Sequence, residues 1–181
     1  MLDQTPLGST VCKTTGTTKT DEAGDKLKRR DWYASEWTCP GHAGRSVVIA
    51  HDDQREGLAF PKVRTKPAEF VWPERFGAWG PSIEWRGEKS SAATATTLFA
   101  IARYARDVGP LGRKPPRDLG GELAVIRVGP DPASTCILAW VDTSANKDAT
   151  ALARVFADGD ATRLHCDKSA KPIRLGKPGQ E

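Results

Sequence analysis

Four cysteines, Cys12, Cys39, Cys136 and Cys166, constrain this chain more than any other feature. They fall as two pairs of similar span, and none belongs to a C-x-x-C, so zinc-ribbon and thioredoxin readings lack their key spacing. Four cysteines permit three pairings, and sequence alone does not choose among them. Loop closure favours neighbours in the chain, which predicts Cys12–Cys39 and Cys136–Cys166. Each bridge would close a loop of about thirty residues and contribute roughly 3–4 kcal/mol in the chain-entropy account. Against a net stability of about 5–15 kcal/mol, that decides whether a domain stays folded. Disulfides persist in oxidising compartments, so the pattern predicts a periplasmic or secreted location. Met1-Leu2-Asp3-Gln4 has no basic start and no apolar stretch, so a secretory signal peptide is expected to be absent from this chain as given. Two alternatives compete with this reading. One is a cytosolic protein with four buried, reduced thiols. The other is a metal set of Cys39, His42, His165 and Cys166, but adjacent His165 and Cys166 would point to opposite faces of a strand.

Composition bounds the rest. At 181 residues, with 38% hydrophobic and 28% charged side chains, the chain is most simply one globular domain. Its longest clean apolar run, residues 136–141, is far short of the ~20 residues of a membrane span. The formal charge is +4, with basic clusters at 26–30 and 113–117. Aromatics are not interleaved with those clusters and no recognisable module is present, so no nucleic-acid binding is expected. Solvated loops and a basic tail explain the charge.

Along the chain, residues 11–15, 35–39, 45–50 and 57–60 read as short strands, the last two joined by a polar hairpin tip at 51–56. Residues 61–81 read as a proline- and glycine-broken loop with Phe70, Trp72, Phe76 and Trp79 embedded. Residues 82–86 alternate, placing Ile83 and Trp85 on one face. Residues 94–105 read as a strand, and 108–121 as a basic loop. Residues 122–128 and 135–142 are apolar on both faces, as in strands covered on each side. Ala149, Leu152, Ala153 and Phe156 then follow helical spacing, with Asn146 as the expected N-cap and Gly159 as the stop. Leu152 and Phe156 are predicted to face the sheet. Residues 162–166 read as a short strand or extended arm. The predicted fold class is α+β: a mostly antiparallel β-sheet with one C-terminal amphipathic helix packed on it, disulfide-stapled. It forms a single domain over 1–167, and 168–181 is expected to be a flexible basic tail.

Cys39-Pro40-Gly41, Gly80-Pro81-Ser82-Ile83-Glu84-Trp85-Arg86 and residues 136–158 carry a resemblance. The last stretch includes Trp140-Val141-Asp142, Ala145-Asn146, Asp148-Ala149 and Leu152-Ala153-Arg154. Together they resemble a group of small secreted or periplasmic proteins of alphaproteobacteria with no established activity. The likeness covers most of the chain after its N-terminal arm. It implies export and a single mixed domain, and it carries over no catalytic residue.

Motifs for chemistry are sparse. Ser144-Ala145-Asn146-Lys147 matches the S-x-x-K of serine acylases, but neither S-D-N nor K-T-G follows. The match falls where a helix should start, with Lys147 on the solvent side. No G-x-S-x-G and no P-loop occurs. His51, Asp52, Asp53 and Glu56 are the densest set of potential acid–base or calcium-binding groups. Such clusters are also ordinary turn chemistry. Trp72, Trp79 and Trp85, with Phe70 and Phe76, could form an aromatic platform for a glycan or partner protein, or could anchor a proline-rich loop to the core.

No catalytic residue, metal or cofactor is assigned on this reading. The expected function is a non-enzymatic binding domain that meets an envelope protein or a glycan through exposed loops, with Trp72, Trp79, Trp85, His51 and Asp53 as its surface. The alternative is a small extracytoplasmic hydrolase, with or without the assistance of a metal. A concave pocket holding His51 or His42 beside a carboxylate would favour the enzyme.

Overall fold

The computed structural model describes residues 3–7, 11–14, 35–52, 55–62, 70–87, 98–106, 121–167 and 169–178. The expected basic clusters at 26–30 and 113–117, the loop 108–120, Asp53 and Lys168 lie outside the described residues, as do the first four positions of the strand expected at 94–105.

Ten strands among the described residues form one sheet. In chain order they are β1 (Asp3–Pro6), β2 (Lys13–Thr14), β3 (Ser35–Cys39), β4 (Val47–Asp52), β5 (Arg55–Ala59), β6 (Gly77–Gly87), β7 (Leu98–Arg106), β8 (Glu122–Val128), β9 (Cys136–Asp142) and β10 (Ile173–Leu175). A helix, α1 (Ala149–Asp158), stands between β9 and β10. The spatial order runs β10-β9-β8-β7-β6-β5-β4-β3-β2, with β1 paired to β6 beside it. Pairing is antiparallel except for β10 on β9 and the single pair Arg55–Gly77 between β5 and β6. No helix among the described residues is long and apolar enough to cross a membrane.

The apolar pattern of β8 explains the layering. Ala124, Ile126 and Val128 join one cluster with Leu58, Ile83, Trp85, Tyr104 and Trp140. Leu123 and Val125 join a second with Phe99, Ile101, Val141 and the helix residues Ala153 and Phe156. Alternate side chains therefore enter two cores, and β8 is covered on both faces. On the second face, α1 buries Ala149, Ala153, Phe156 and Ala157. Leu152, expected in that stripe, is 37% exposed and sits at its margin. Arg154 reaches from α1 to a buried Glu84 in β6 through two hydrogen bonds of 2.8 Å, and Arg86 pairs with Asp158 beside it.

On the first face the sheet curls over itself. Register shifts between Trp79 and Ile83 and between Val125 and Ile126 add local twist. Pro81 sits in the first of them, where its missing N–H costs no ladder bond, and its carbonyl accepts the Leu7 N–H at 2.6 Å. The curl brings Trp79 of β6 to 6.4 Å from Trp140 of β9, although β7 and β8 separate their strands in the sheet. Arg45, just before β4, donates to the Phe60 and Gly129 carbonyls at 2.9 and 2.7 Å. That guanidinium ties the β4–β5 layer to the turn after β8, and burial lowers its pKa.

Both disulfides form as the loop-closure argument predicts, Cys12–Cys39 and Cys136–Cys166, leaving no free cysteine. Cys12 precedes the β2 pairing of Lys13 with Thr38, which brings it beside Cys39.

Three expectations are corrected here. The polar stretch 51–56 is not a long hairpin tip: His51 and Asp52 end β4, Arg55 and Glu56 begin β5, and His51 faces Glu56 across the ladder. The second is the flexible basic tail expected over 168–181: within it Ile173, Arg174 and Leu175 form a strand, pairing with Ala139, Trp140 and Val141. Long-range contacts compensate for so short a strand. Arg174 forms a salt bridge with the buried Glu122. The Asn146 side chain donates to the Lys177 carbonyl at 2.9 Å and accepts the Lys177 N–H at 2.8 Å. Asn146 therefore holds the C-terminal segment instead of capping the helix. Asp148 occupies the N-cap position without a side-chain cap.

Candidate functional site

The sheet leaves a gap between the segment before β6 and the segment before β10. That gap is a cleft of about 450 Å³. Its floor comes from β9 and the residue before it: Thr135, Cys136, Ile137 and Trp140.

The first wall comprises Phe70, Val71, Trp72 and Glu74. Val71 exchanges both backbone hydrogen bonds with Leu58 of β5, at 2.7 and 3.1 Å. Trp72 can lie against β5 because residue 57 is glycine: a Cβ there would stand 2.9 Å from the indole ring. The Phe70 and Trp72 ring centroids are 5.7 Å apart. Beyond them Pro73 is buried, and the Arg75 carbonyl accepts the Tyr104 hydroxyl at 2.8 Å. Burial, with Glu56 nearby, pushes the Tyr104 phenol well above its ordinary range, so it remains a donor at neutral pH.

The second wall comprises Asp167, Ala170 and Pro172. Four attachments hold it: the Cys136–Cys166 bond, the Arg127 guanidinium on the Leu164 carbonyl at 2.6 Å, β10, and the Asn146–Lys177 pair. Asp167 forms a tight turn, accepting the Ser169 hydroxyl at 2.7 Å and the Ser169 N–H at 2.8 Å. Those hydrogen bonds hold its carboxyl below the usual carboxylate range, so it is anionic at neutral pH.

Three aromatic residues thus line the cleft, one acidic residue stands on each wall, and among the described residues no lysine, arginine or histidine belongs to its lining. No family model, curated protein or solved structure matches this chain.

The structure distributes the sequence-predicted residues unevenly. Trp72 and Phe70 line the cleft, whereas Phe76 is exposed elsewhere. Trp79 is core: its backbone N–H bonds the Glu56 carboxylate at 2.8 Å and its ring N–H bonds the Glu56 carbonyl at 2.9 Å. Trp85 is 3% exposed, donates to the Thr5 hydroxyl at 2.8 Å and stacks with His42. These three tryptophans therefore do not share a surface. His51 lies on β4 opposite Glu56, and Asp53 is outside the described residues. Glu56 is turned inward, where burial raises its pKa against the lowering effects of the Trp79 N–H and His51. No group of three or more His, Cys, Asp or Glu among the described residues is arranged to hold a metal ion. Cys39 and Cys166, members of the considered metal set, are in separate disulfides.

Ser144 and Lys147 are both exposed and precede α1, whose first residue is Ala149. The Ser144 hydroxyl donates to Asp142 at 2.5 Å, and the same oxygen accepts the Ser144 and Ala145 N–H groups at 2.8 and 3.0 Å. This is turn chemistry of the Asx kind. Sequence reasoning missed Trp140, Glu74 and Asp167 at the cleft. Trp140 reads only as a core strand residue, and the acidic pair stands about ninety positions apart in the chain, which no local pattern reports.

Proposed function

We propose that this chain is an extracytoplasmic, non-enzymatic binding domain that takes a small ligand in the cleft between residues 70–74 and 167–172. One observation carries the reading: a concave site with one aromatic wall, a tryptophan in its floor and an acidic residue on each wall, each wall fixed to the sheet by hydrogen bonds or a disulfide. Ligand sites are concave, largely apolar and furnished with a few placed polar groups, and a preformed wall lowers the ordering cost of binding. Support for the compartment comes from the pairing of all four cysteines, since such bonds are rare where thiols are kept reduced.

A thermal-shift screen against a small-molecule library, run in parallel on the wild type and on Trp72→Ala, tests the binding site. At least one compound should raise the wild-type midpoint and leave that of the variant unchanged. Equal shifts in both proteins would remove the cleft from consideration. Location is checked separately, by fractionating the native host and trapping thiols before lysis. Recovery in the cytoplasmic fraction with four free thiols would overturn the extracytoplasmic assignment.

A further inference from the structure

Building on the cleft as the binding site, we propose that its ligand is an organic cation, a substituted ammonium carrying a hydrocarbon body, held among the aromatic residues Phe70, Trp72 and Trp140 and the carboxylates of Glu74 and Asp167. The donor and acceptor balance of the lining leads to this class. Glu74 and Asp167 supply acceptors, one from each wall. The Thr135 hydroxyl is already engaged, donating to the Asp131 carbonyl at 3.2 Å and accepting the Gly129 N–H at 3.1 Å. Among the described lining residues, side-chain donors are then limited to the indole N–H groups of Trp72 and Trp140, so a ligand rich in acceptors, such as a phosphate or carboxylate, finds little to bind. A ligand that brings donors or positive charge is matched.

Local charge agrees with that balance. The chain carries a formal +4, yet the described lining residues bear two carboxylates and no cation. Arg75 and Lys171 adjoin lining residues in the chain but are not among them, so the charges carried by the described lining itself are the two carboxylates. Aromatic faces attract cations through the ring quadrupole, most strongly for tryptophan and most usefully when water is excluded. The apolar floor of Ile137 and the Pro172 ring on the second wall suit methyl or methylene groups rather than a bare, strongly hydrated ion. Those surfaces distinguish a substituted ammonium from a metal cation or ammonium itself.

The test uses choline, its uncharged isostere 3,3-dimethylbutan-1-ol, and glucose, titrated into the disulfide-intact protein with tryptophan fluorescence and calorimetry as readouts. Choline should saturate at millimolar concentrations or below and bind about tenfold or more tighter than the alcohol, a ratio within the range of desolvated cation–π contacts. Glu74 is exposed, so Glu74→Gln should fold normally while weakening choline about threefold or more and leaving the alcohol unchanged. Trp72→Ala should abolish the choline signal. Equal affinity for choline and the alcohol, or tighter binding of glucose, would overturn the cationic ligand class. So would the absence of a saturable choline signal. A library compound whose midpoint shift disappears in Trp72→Ala would preserve the cleft as a site in each of those cases, so the two readings fail separately.

Discussion

Glu56 shows how a polar residue from a sequence-level acid–base cluster becomes part of the frame. Its carboxylate accepts the Trp79 N–H at 2.8 Å, and burial raises its pKa. A carboxyl whose folded pKa lies above its unfolded value stabilises the fold fully below the unfolded pKa, and that contribution is lost as pH rises through the folded pKa. Glutamine keeps an acceptor oxygen for Trp79 and does not titrate. Stability of Glu56→Gln relative to wild type should therefore increase as pH rises from about 4, the start of glutamate ionisation in an unfolded chain. Urea midpoints across the acid to neutral range measure it, and a pH-independent difference would contradict the burial argument. Gly57, next along β5, acts on the site directly. A methyl group there would meet the Trp72 ring at 2.9 Å, so Gly57→Ala should shift the indole, alter tryptophan emission and weaken binding in the cleft. Unchanged emission and unchanged affinity would show that the ring does not depend on this contact.

At the scale of elements, α1 tests the packing. Phe156 is 8% exposed between the helix and the sheet, and Phe156→Ala should cost roughly 3–5 kcal/mol, read from chemical denaturation. Leu152→Ala should cost well under half of that, since Leu152 lies at the margin of the buried stripe. Much of this architecture is legible in the sequence. β3 and β8 have the expected bounds, β9 and α1 fall within a residue or two of theirs, and Gly159 ends the helix through its N–H on the Val155 and Phe156 carbonyls. Those elements are long or strongly periodic, so local pattern dominates. β10 was not legible because three residues cannot show a period. It exists through Glu122, Asn146 and the second disulfide, all remote in sequence. The cleft was half legible for the same reason. Phe70 and Trp72 stand out as aromatics in a proline-rich loop, while Trp140, Glu74 and Asp167 join them only when the sheet curls.

For the whole molecule, the two disulfides close loops of nearly equal span, 27 and 30 residues, so chain entropy assigns each a similar stability, roughly 3–4 kcal/mol. Their places in the fold differ. Cys12–Cys39 joins β2 to β3 at one edge of the sheet, and neither cysteine lines the cleft. Cys136–Cys166 links the cleft floor to the start of its second wall, and Cys136 itself is a lining residue. Removing either bond as a paired Cys→Ser variant should lower global stability by comparable amounts. Only removal of Cys136–Cys166 should loosen the wall in the native state, because Asp167, Ala170 and Pro172 would then be held from one side by Arg127 on Leu164 and from the other by β10 and Lys177. Native-state hydrogen exchange separates these effects, since it reports local opening below the global unfolding free energy. Backbone amides in 169–175 should exchange faster in the Cys136→Ser/Cys166→Ser variant and stay near wild-type rates in Cys12→Ser/Cys39→Ser, compared at matched global stability. Ligand affinity should fall in the first variant and hold in the second. Equal protection of 169–175 in both would mean that β10 and Asn146 suffice to hold the wall, and that the second disulfide serves the fold as a whole rather than the cleft.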